Sequence, residues 1–358
     1  MRLGKFHKKK RYLINLIKIN ILSFLFKNKL GSSIDGASIK SCLLIHDNNK
    51  IGDLIILSAL YRILAAKNIE LSILSCSTGH DFLKSHPHIA HFFIKTSNSV
   101  SDTLKLRNEL KKYHFDVVLD PFETFPCFSH SLLLSGLNTS YVLGFDKWYK
   151  RYYSRYHSHD EHLSEHMSTR TKVIVQQLFG HDENYNYSYD LFIPADIEKS
   201  VKEFIGASQV VVINPLGAKK ICRLTAEQIK LVHSWISEHY PELRIIYTGH
   251  PNDLPSIPVD NIETLPQKDF IYTVALTRFC KYVVSVDTAL VHIASAWDRP
   301  MLALYPRART AEYPSPLIWS PNNANALQII SPTCFVSDIE NHILLESLEK
   351  LFGREVKL

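Results

Sequence analysis

A carboxylate next to a glycine is the first feature of this sequence that could do chemistry. Gly52 and Asp53 lie in a loop that follows an apolar run at residues 42–46 and precedes a helical pattern. Glycine permits a tight turn or the close approach of a ligand to the backbone. We interpret Asp53 either as the N-cap of the following helix or as a general base that removes a proton from an acceptor hydroxyl.

A second loop combines small residues with three cations. It contains Gly217, Lys219, Lys220 and Arg223, and it stands between a predicted strand and a predicted helix from Thr225. Cations in front of a helix N-terminus favour an anion site, because the free amides of the first turn add to their positive potential. A solvated surface loop would have the same composition, so both interpretations stay open.

A third strand-to-helix turn carries an acid, a hydroxyl and an imidazole. Asp287 and Thr288 stand at the turn, and His292 follows four residues after Thr288. That spacing places Thr288 and His292 on the same helical face. We expect these side chains to face a ligand bound at the helix N-terminus, whereas the alternative is an ordinary cap followed by a core histidine.

Alternating strands and helices must position these loops. Short β-branched or leucine-rich runs alternate with helical patterns in two series, residues 42–120 and residues 209–305. Such alternation predicts doubly wound parallel sheets with a ligand cleft at the carboxyl ends of the strands. A chain of 358 residues is about twice a typical domain. We therefore expect two α/β domains, residues 41–188 and residues 189–358, the second with a closing C-terminal helix.

A tyrosine- and histidine-rich stretch separates the two series. Its histidines have a spacing that could bind zinc, but neighbouring acids could simply pair with them. They are His157, His159, His162 and His166. None of the six cysteines forms a C-x-x-C pair, so we expect reduced cysteines and no metal site.

Residues 1–40 form a basic N-terminal arm. Of the 41 basic residues, nine lie in the first 30 positions together with no acid, which leaves 32 basic against 35 acidic residues elsewhere. The body of the protein therefore lacks the positive charge that nucleic acid binding requires.

The same arm has an apolar stripe. A helix over residues 11–28 would place six apolar side chains on one arc. They are Leu13, Ile14, Ile17, Ile21, Phe24 and Leu25. Such a basic helix either lies on an anionic membrane surface or packs on the protein body. No uncharged apolar run approaches the roughly 18 residues typical of a membrane span.

Together the three loops resemble glycosyltransferase family 9, the ADP-heptose:lipopolysaccharide heptosyltransferases. Residues 51–53 match the I-G-D motif of that family, and residues 287–294 match its D-T-G-x-x-H-x-A motif. Residues 217–223 match a small-residue loop with cations before a helix. The resemblance covers roughly residues 41–340. Four features differ from the family pattern. Ala289 replaces the motif glycine, and Pro306 stands within a Tyr-Pro-Arg that replaces F-G-P. The arginine usual before I-G-D is missing, with His46 and Asp47 near its place, and Cys222 stands where the second-domain loop usually has a lysine.

This resemblance implies a GT-B fold, in which two Rossmann-like domains face a central cleft. It implies an inverting, metal-independent transfer of heptose from ADP-heptose to the lipopolysaccharide inner core, with no cofactor. The enzyme would be peripheral on the cytoplasmic face of the inner membrane. By the same resemblance Asp53 is the general base, and acceptor-side residues are Gly52, His166 and Arg170. The implied donor-binding residues are Gly217, Lys219, Lys220, Arg223, Asp287, Thr288, Ala289 and His292.

Two alternatives keep the same fold. The enzyme could use another nucleotide sugar, such as a UDP- or GDP-hexose. The chain could also be a non-catalytic relic that binds a glycan or nucleotide, an interpretation motivated by Ala289 and Pro306. Turnover with a panel of nucleotide sugars distinguishes these possibilities.

Overall fold

The chain forms two compact units. A computed structural model describes residues 2–25, 30–48, 50–122, 127–146, 150–157, 165–180, 184–267, 269–309 and 315–353, of which residues 2–11 and 25 contribute their backbone only. The first unit contains Met1–Asn49, Ala59–His162 and Thr169–Tyr187, and the second contains Lys50–Ser58, Leu163–Ser168 and Ser188–Leu358.

A six-stranded parallel sheet forms the centre of the first unit. Its strands are β1 (Ser41–Ile45), β2 (Glu70–Ser75), β3 (His91–Ile94), β4 (Phe115–Asp120), β5 (Thr139–Phe145) and β6 (Arg155–His157). They lie in the order β3-β2-β1-β4-β5-β6, so the direction of winding changes between β1 and β4. The central strands are buried along most of their length, as expected for a sheet covered on both faces.

Helices precede and connect these strands. They are α1 (Arg2–Leu25), α2 (Ile51–Ile56), α3 (Ala59–Ala66), α4 (Ser77–Leu83), α5 (Val100–Leu110), α6 (Phe128–Leu134) and α7 (Thr169–Phe179). All of them belong to the first unit except α2, which belongs to the second.

The arm helix α1 docks on α6 through one face. Ile19 and Leu22 are buried there, and the Tyr152 hydroxyl donates to the carbonyl oxygen of Ile19. The predicted apolar stripe lies on the opposite side of α1 and is not part of this contact. Its described members, Leu13, Ile14, Ile17, Ile21 and Phe24, are between 41% and 77% exposed.

The second unit repeats the same architecture. Its strands are β7 (Gln209–Asn214), β8 (Leu243–Tyr247), β9 (Glu263–Thr264), β10 (Tyr282–Val286), β11 (Met301–Tyr305) and β12 (Ala326–Ile330), and they form a parallel sheet in the order β12-β11-β10-β7-β8-β9. Its later helices are α8 (Ala195–Ile205), α9 (Ala226–His239), α10 (Phe270–Phe279), α11 (Ala289–Ala296), α12 (Ser315–Ile318) and α13 (Asn341–Phe352). The closing helix α13 packs on α9 and β11 within this unit.

One predicted helix is interrupted. The apolar pattern at residues 53–67 predicts a continuous helix, but the chain forms α2 and α3 with a break at Ser58. The amide and the hydroxyl of Ser58 both donate to the carbonyl oxygen of Ile55, at 3.0 and 2.6 Å. A side chain that competes for a helical carbonyl favours such a break. Because of it, α2 packs with the second unit and α3 with the first.

The predicted helix at residues 162–179 is shorter than its pattern indicated. Residues 161–164 lie outside the described residues, and α7 begins only at Thr169. In the described part of the chain, no helix is long and apolar enough to cross a membrane.

Candidate active site

The candidate site in the second unit is built where α2 packs on α11. A Cβ atom added to Gly52 would lie 3.1 Å from Cδ2 of His292 and 3.8 Å from Cα of Ala289. The absence of a side chain at Gly52 therefore lets the two helices approach each other closely. This contact joins the predicted Gly52 and the predicted His292, which are 240 residues apart in the sequence.

Asp53 follows Gly52 in the first turn of α2 and is buried. The N-cap position of α2 belongs to Lys50, and the Asp53 amide donates to the Lys50 carbonyl oxygen at 3.1 Å. The interpretation of Asp53 as the capping residue is therefore wrong. Asp53 lies in the first turn of α2, which packs on the helix that carries His292. The second interpretation, that Asp53 is a general base, therefore stays a prediction.

The turn between β10 and α11 is held by its own hydroxyl groups. Thr288 is the N-cap of α11, and its side chain accepts a hydrogen bond from the Leu290 amide. The Asn214 amide group donates to Thr288 Oγ1 at 3.3 Å, and Ser285 Oγ lies 3.1 Å from the same atom. These bonds fix the start of α11, so Thr288 orients the turn while its hydroxyl is already engaged.

Asp287 carries the charge of this turn. Burial raises the pKa of its carboxyl group, whereas the positive charges of Lys219 and Lys50 oppose that rise. Two cations are thus electrostatically coupled to the start of α11. Such a cluster is suited to an anionic ligand that would share the positive potential.

His292 is an uncharged and incompletely bonded imidazole. Burial, with a smaller effect from His166, lowers its pKa to about 3. Its Nδ1 atom is buried and has no hydrogen-bond partner among the described residues. Buried polar atoms without a partner are rare, and a ligand atom is one explanation for them. The Trp319 ring lies 6.1 Å from the imidazole, measured between centroids, and forms part of its surroundings.

The cation-bearing loop is closed by Gly217. The Gly217 amide donates to the Cys222 carbonyl oxygen at 2.7 Å, and a Cβ at Gly217 would come within 2.6 Å of that oxygen. The Arg223 guanidinium binds groups of the protein itself. Its Nε donates to the Gly217 carbonyl oxygen, and its Nη2 pairs with Asp253 at 3.0 Å. Gly217 and Arg223 therefore shape the loop.

The two lysines of this loop differ from Arg223. Lys219 and Lys220 are exposed, and neither forms an ion pair with a described residue. Lys219 acts electrostatically on Asp287, whereas Lys220 has no such effect on it. Of the three predicted diphosphate partners, Lys219 is thus the one coupled to the turn before α11.

Two of the three predicted acceptor-side residues, His166 and Arg170, belong to different units. His166, in the second unit, has Nδ1 2.8 Å from Ser168 Oγ and Nε2 2.9 Å from the Ser320 carbonyl oxygen, and burial lowers its pKa. Arg170, in the first unit, is buried, and its guanidinium donates to Asp146 and to the Pro121 carbonyl oxygen. Arg170 therefore serves the interior of its own unit.

The described residues of the histidine-rich stretch belong to no metal cluster. His159 and His162 lie outside the described residues. The His157 ring stacks on Phe145 with centroids 5.1 Å apart. Over the described ranges, no three His, Cys, Asp or Glu residues are grouped to hold a metal ion.

Comparison with known proteins identifies the family. The model of glycosyltransferase family 9 (heptosyltransferase) matches residues 103–338. The chain belongs to glycosyltransferase family 9. It is also 55% identical, over 352 residues that make up 98% of each chain, to an Escherichia coli (strain K12) protein named "Putative lipopolysaccharide heptosyltransferase 4". The family predicted from the three loops is confirmed, and the protein is a glycosyltransferase.

Solved structures share the fold of this chain. A family 9 glycosyltransferase from Veillonella parvula DSM 2008 superposes with a TM-score of 0.73 at 14% identity, covering 91% of this chain and 100% of the other. The E. coli ADP-heptose lipopolysaccharide heptosyltransferase II superposes with a TM-score of 0.67 at 18% identity, covering 88% of this chain and 99% of the other. The predicted GT-B fold is confirmed.

Sequence reasoning missed several neighbours of the family 9 motifs. Lys50 directly precedes the I-G-D motif and could have been found by that position. Asn214 ends β7, and β7 pairs with β10, which leads to Thr288. Predicting that these two strands are neighbours could have indicated the contact between Asn214 and Thr288. Trp319 has no local signal, because it follows a short helix outside every motif.

Proposed function

We propose that this family 9 enzyme transfers a heptose from ADP-heptose to the inner core of lipopolysaccharide with inversion at the anomeric carbon. The observation that carries the proposal is the packing of α2 on α11. It places the buried carboxylate Asp53 one residue after Gly52, which lies against His292 of α11. A base and an anion site held together are what a nucleophilic displacement at a sugar diphosphate requires.

The proposed reaction is a single displacement. Asp53 accepts the proton of an acceptor hydroxyl, and the hydroxyl oxygen forms a bond to the anomeric carbon. The bond from that carbon to the diphosphate oxygen breaks, and ADP leaves with the electron pair. Lys219 and the backbone amides at the start of α11 stabilise the negative charge that develops on the leaving diphosphate. No metal or cofactor takes part in this scheme.

His292 has a separate role in the proposal. Because its pKa is lowered to about 3 by burial, the imidazole is neutral at physiological pH. A neutral imidazole can offer Nδ1 as donor or acceptor to the donor substrate without adding charge. Two similar proteins favour heptose over a hexose as the transferred sugar. One is the 55% identical protein named as a heptosyltransferase, and the other is the ADP-heptose enzyme of the same fold.

A donor panel tests this proposal. Purified enzyme would be incubated with deacylated inner-core oligosaccharides and, in turn, with ADP-heptose, ADP-glucose, a UDP-hexose and a GDP-hexose. We expect product only with ADP-heptose, and we expect NMR coupling constants to show an inverted anomeric configuration. Efficient transfer from a UDP- or GDP-hexose would overturn the donor assignment. Nucleotide binding without any transfer would support the non-catalytic alternative.

We further propose that the enzyme is peripheral on the cytoplasmic face of the inner membrane through α1. The exposed apolar stripe is available while the opposite face of α1 holds the helix to the protein. The first 30 residues carry nine basic residues and no acid, which favours an anionic lipid surface. Each Lys or Arg near such a surface contributes about 1 kcal/mol of attraction.

Flotation with lipid vesicles tests the membrane proposal. We expect the protein to float with vesicles containing phosphatidylglycerol and not with pure phosphatidylcholine, and to be released by high salt. The double variant Ile17→Ser/Ile21→Ser should lose flotation and keep its fold. Leu317→Ser, which changes a half-exposed apolar residue in the second unit, is the matched control and should float normally. Unchanged flotation of the double variant would contradict the proposal.

A further inference from the structure

A buried chain of ionisable side chains crosses the carboxyl edge of the first sheet. Asp47 follows β1 and Asp120 ends β4, the two strands between which the winding direction changes. His130 of α6 bridges them, with Nδ1 3.0 Å from Asp47 Oδ2 and Nε2 2.8 Å from Asp120 Oδ2. In open parallel sheets, ligands bind outside the carboxyl ends of the strands at this switch point.

The chain of ionisable side chains continues beyond Asp47 and beyond Asp120. Lys95, which follows β3, donates from Nζ to Asp47 Oδ2 at 2.7 Å. At the other end the Tyr153 hydroxyl donates to Asp120 Oδ2 at 2.7 Å. Because both ring nitrogens of His130 face carboxylates, both must donate, and the ring is an imidazolium. Two positive and two negative charges therefore alternate along the chain.

The two ends of this chain differ in exposure. The side chains of His130 and Asp120 are only 5% and 3% exposed. Asp47 is 18% exposed and Lys95 is 9% exposed. Both bonds to Asp47 from described residues reach Oδ2. No described residue is shown bonding its Oδ1 atom, which keeps its capacity to accept, and the Lys95 ammonium keeps further donors beyond the one given to Asp47.

We propose that Asp47 and Lys95 form an acceptor subsite that recognises neighbouring hydroxyl groups of a neutral sugar, and that His130 is the positioning residue that holds Asp47. Asp47 Oδ1 accepts from one hydroxyl, and the Lys95 ammonium donates to the next. A phosphate or carboxylate group is disfavoured here, because the carboxylate of Asp47 already balances the charge of Lys95. The subsite rests on the proposed function only in treating the bound sugar as the acceptor.

Steady-state kinetics with ADP-heptose and a deacylated, heptose-terminated inner-core oligosaccharide provide the first test. Asp47→Asn and Lys95→Gln should each raise the acceptor KM at least about tenfold, since each removes a hydrogen bond that involves a charged group. The kcat and the Kd of ADP should change less than about threefold, because the proposed hydrogen bonds go to acceptor hydroxyls and not to the donor. His130→Gln should raise the same KM and leave the Kd of ADP unchanged.

Asp116→Asn is the matched control. Asp116 belongs to the same strand as Asp120, but its carboxylate binds the backbone amides of Lys40 and Ser41 near the start of β1. This variant loses a comparable carboxylate away from the proposed subsite, so the acceptor KM should stay at the wild-type value. Circular dichroism and urea unfolding verify that each variant is folded. If Asp47→Asn does not fold, Lys95→Gln still tests the inference, because Lys95 lies at the more exposed end of this row of ionisable side chains.

Direct binding separates this inference from the donor assignment. Saturation-transfer NMR with methyl α-heptoside should show contact with the wild-type protein, and the signal should be lost in Asp47→Asn and retained in Asp116→Asn. That pattern supports the subsite even if ADP-heptose proves not to be the donor. Folded Asp47→Asn and Lys95→Gln variants with wild-type acceptor KM and wild-type NMR contacts would overturn the inference and leave the proposed function intact.

Discussion

Raising the pH through the alkaline range should destabilise the first unit through His130. Burial alone would lower the pKa of this imidazole, but the charges and hydrogen bonds of Asp120 and Asp47 raise it to about 9, from an ordinary value of 6.5. A group whose pKa is raised by folding contributes its full stabilisation below the unfolded-state pKa. That stabilisation is lost as the pH rises from about 6.5 through about 9, because in this range the native state still holds a proton that the unfolded state has released.

The size of the effect follows from the difference in pKa. About 2.5 pKa units at 1.36 kcal/mol per unit give a loss of about 3 kcal/mol in the free energy of unfolding. This loss is a large fraction of the free energy of unfolding of a typical domain, which is about 5–15 kcal/mol. Deprotonation would also leave one of the two buried carboxylates without a donor from the ring.

Two measurements check this prediction. The first is an NMR titration of protein labelled at histidine Cε1. The resonance that is missing from the His130→Gln spectrum belongs to His130, and it should titrate near pH 9. Urea unfolding at about pH 6 and about pH 9.5 should show the loss in the wild type and a flatter pH dependence in His130→Gln. Despite burial of the thiol, hydrogen bonds to Ser129 and the His130 amide lower the pKa of Cys127, so this group also ionises near this site. The difference between wild type and variant removes the contribution that the two proteins share. A His130 resonance titrating near 6.5, or equal pH dependence in the two proteins, would refute the reasoning.

Three further predictions concern the candidate active site. Asp53→Asn should lower kcat by at least about 10²-fold with little change in donor Kd, because an amide cannot accept the proton; near-normal turnover would rule Asp53 out as the base. Lys219→Ala should weaken ADP binding about tenfold, by calorimetry, whereas Lys220→Ala should change it little; equal effects would contradict the special position of Lys219. Chelation of divalent cations should leave turnover unchanged, and a loss restored by magnesium would show that a metal takes part.

The local sequence determined much of the fold. Apolar runs of strand length predicted the strands at β2, β10 and β11 with the observed ends, because strands buried on both faces read as continuous apolar segments. The capping box at Thr225 and Gln228 fixed the start of α9 for a similarly local reason. The three motif loops predicted the family and the identities of the residues that α2 and α11 bring together.

The tertiary structure decided which of these residues are free to act. Arg170 and Arg223 carry the charge expected of ligand contacts, but the folded chain pairs them with Asp146 and Asp253. Lys219 keeps its charge available. Periodicity reports whether a position is buried, and it does not report which distant partner a buried charge meets.

The same limit explains the chain from Lys95 through Asp47 and His130 to Asp120. Asp47 and His130 are 83 residues apart, and each looks like an ordinary polar residue of a loop or helix in its own segment. Only the parallel order of the strands brings the ends of β1, β3 and β4 to one edge of the sheet. In the arm helix, the sequence identified the apolar stripe of α1, whereas packing on α6 decided that the opposite face is buried. Burial against distant elements is a property of the folded chain, because it depends on neighbours that the local pattern does not contain.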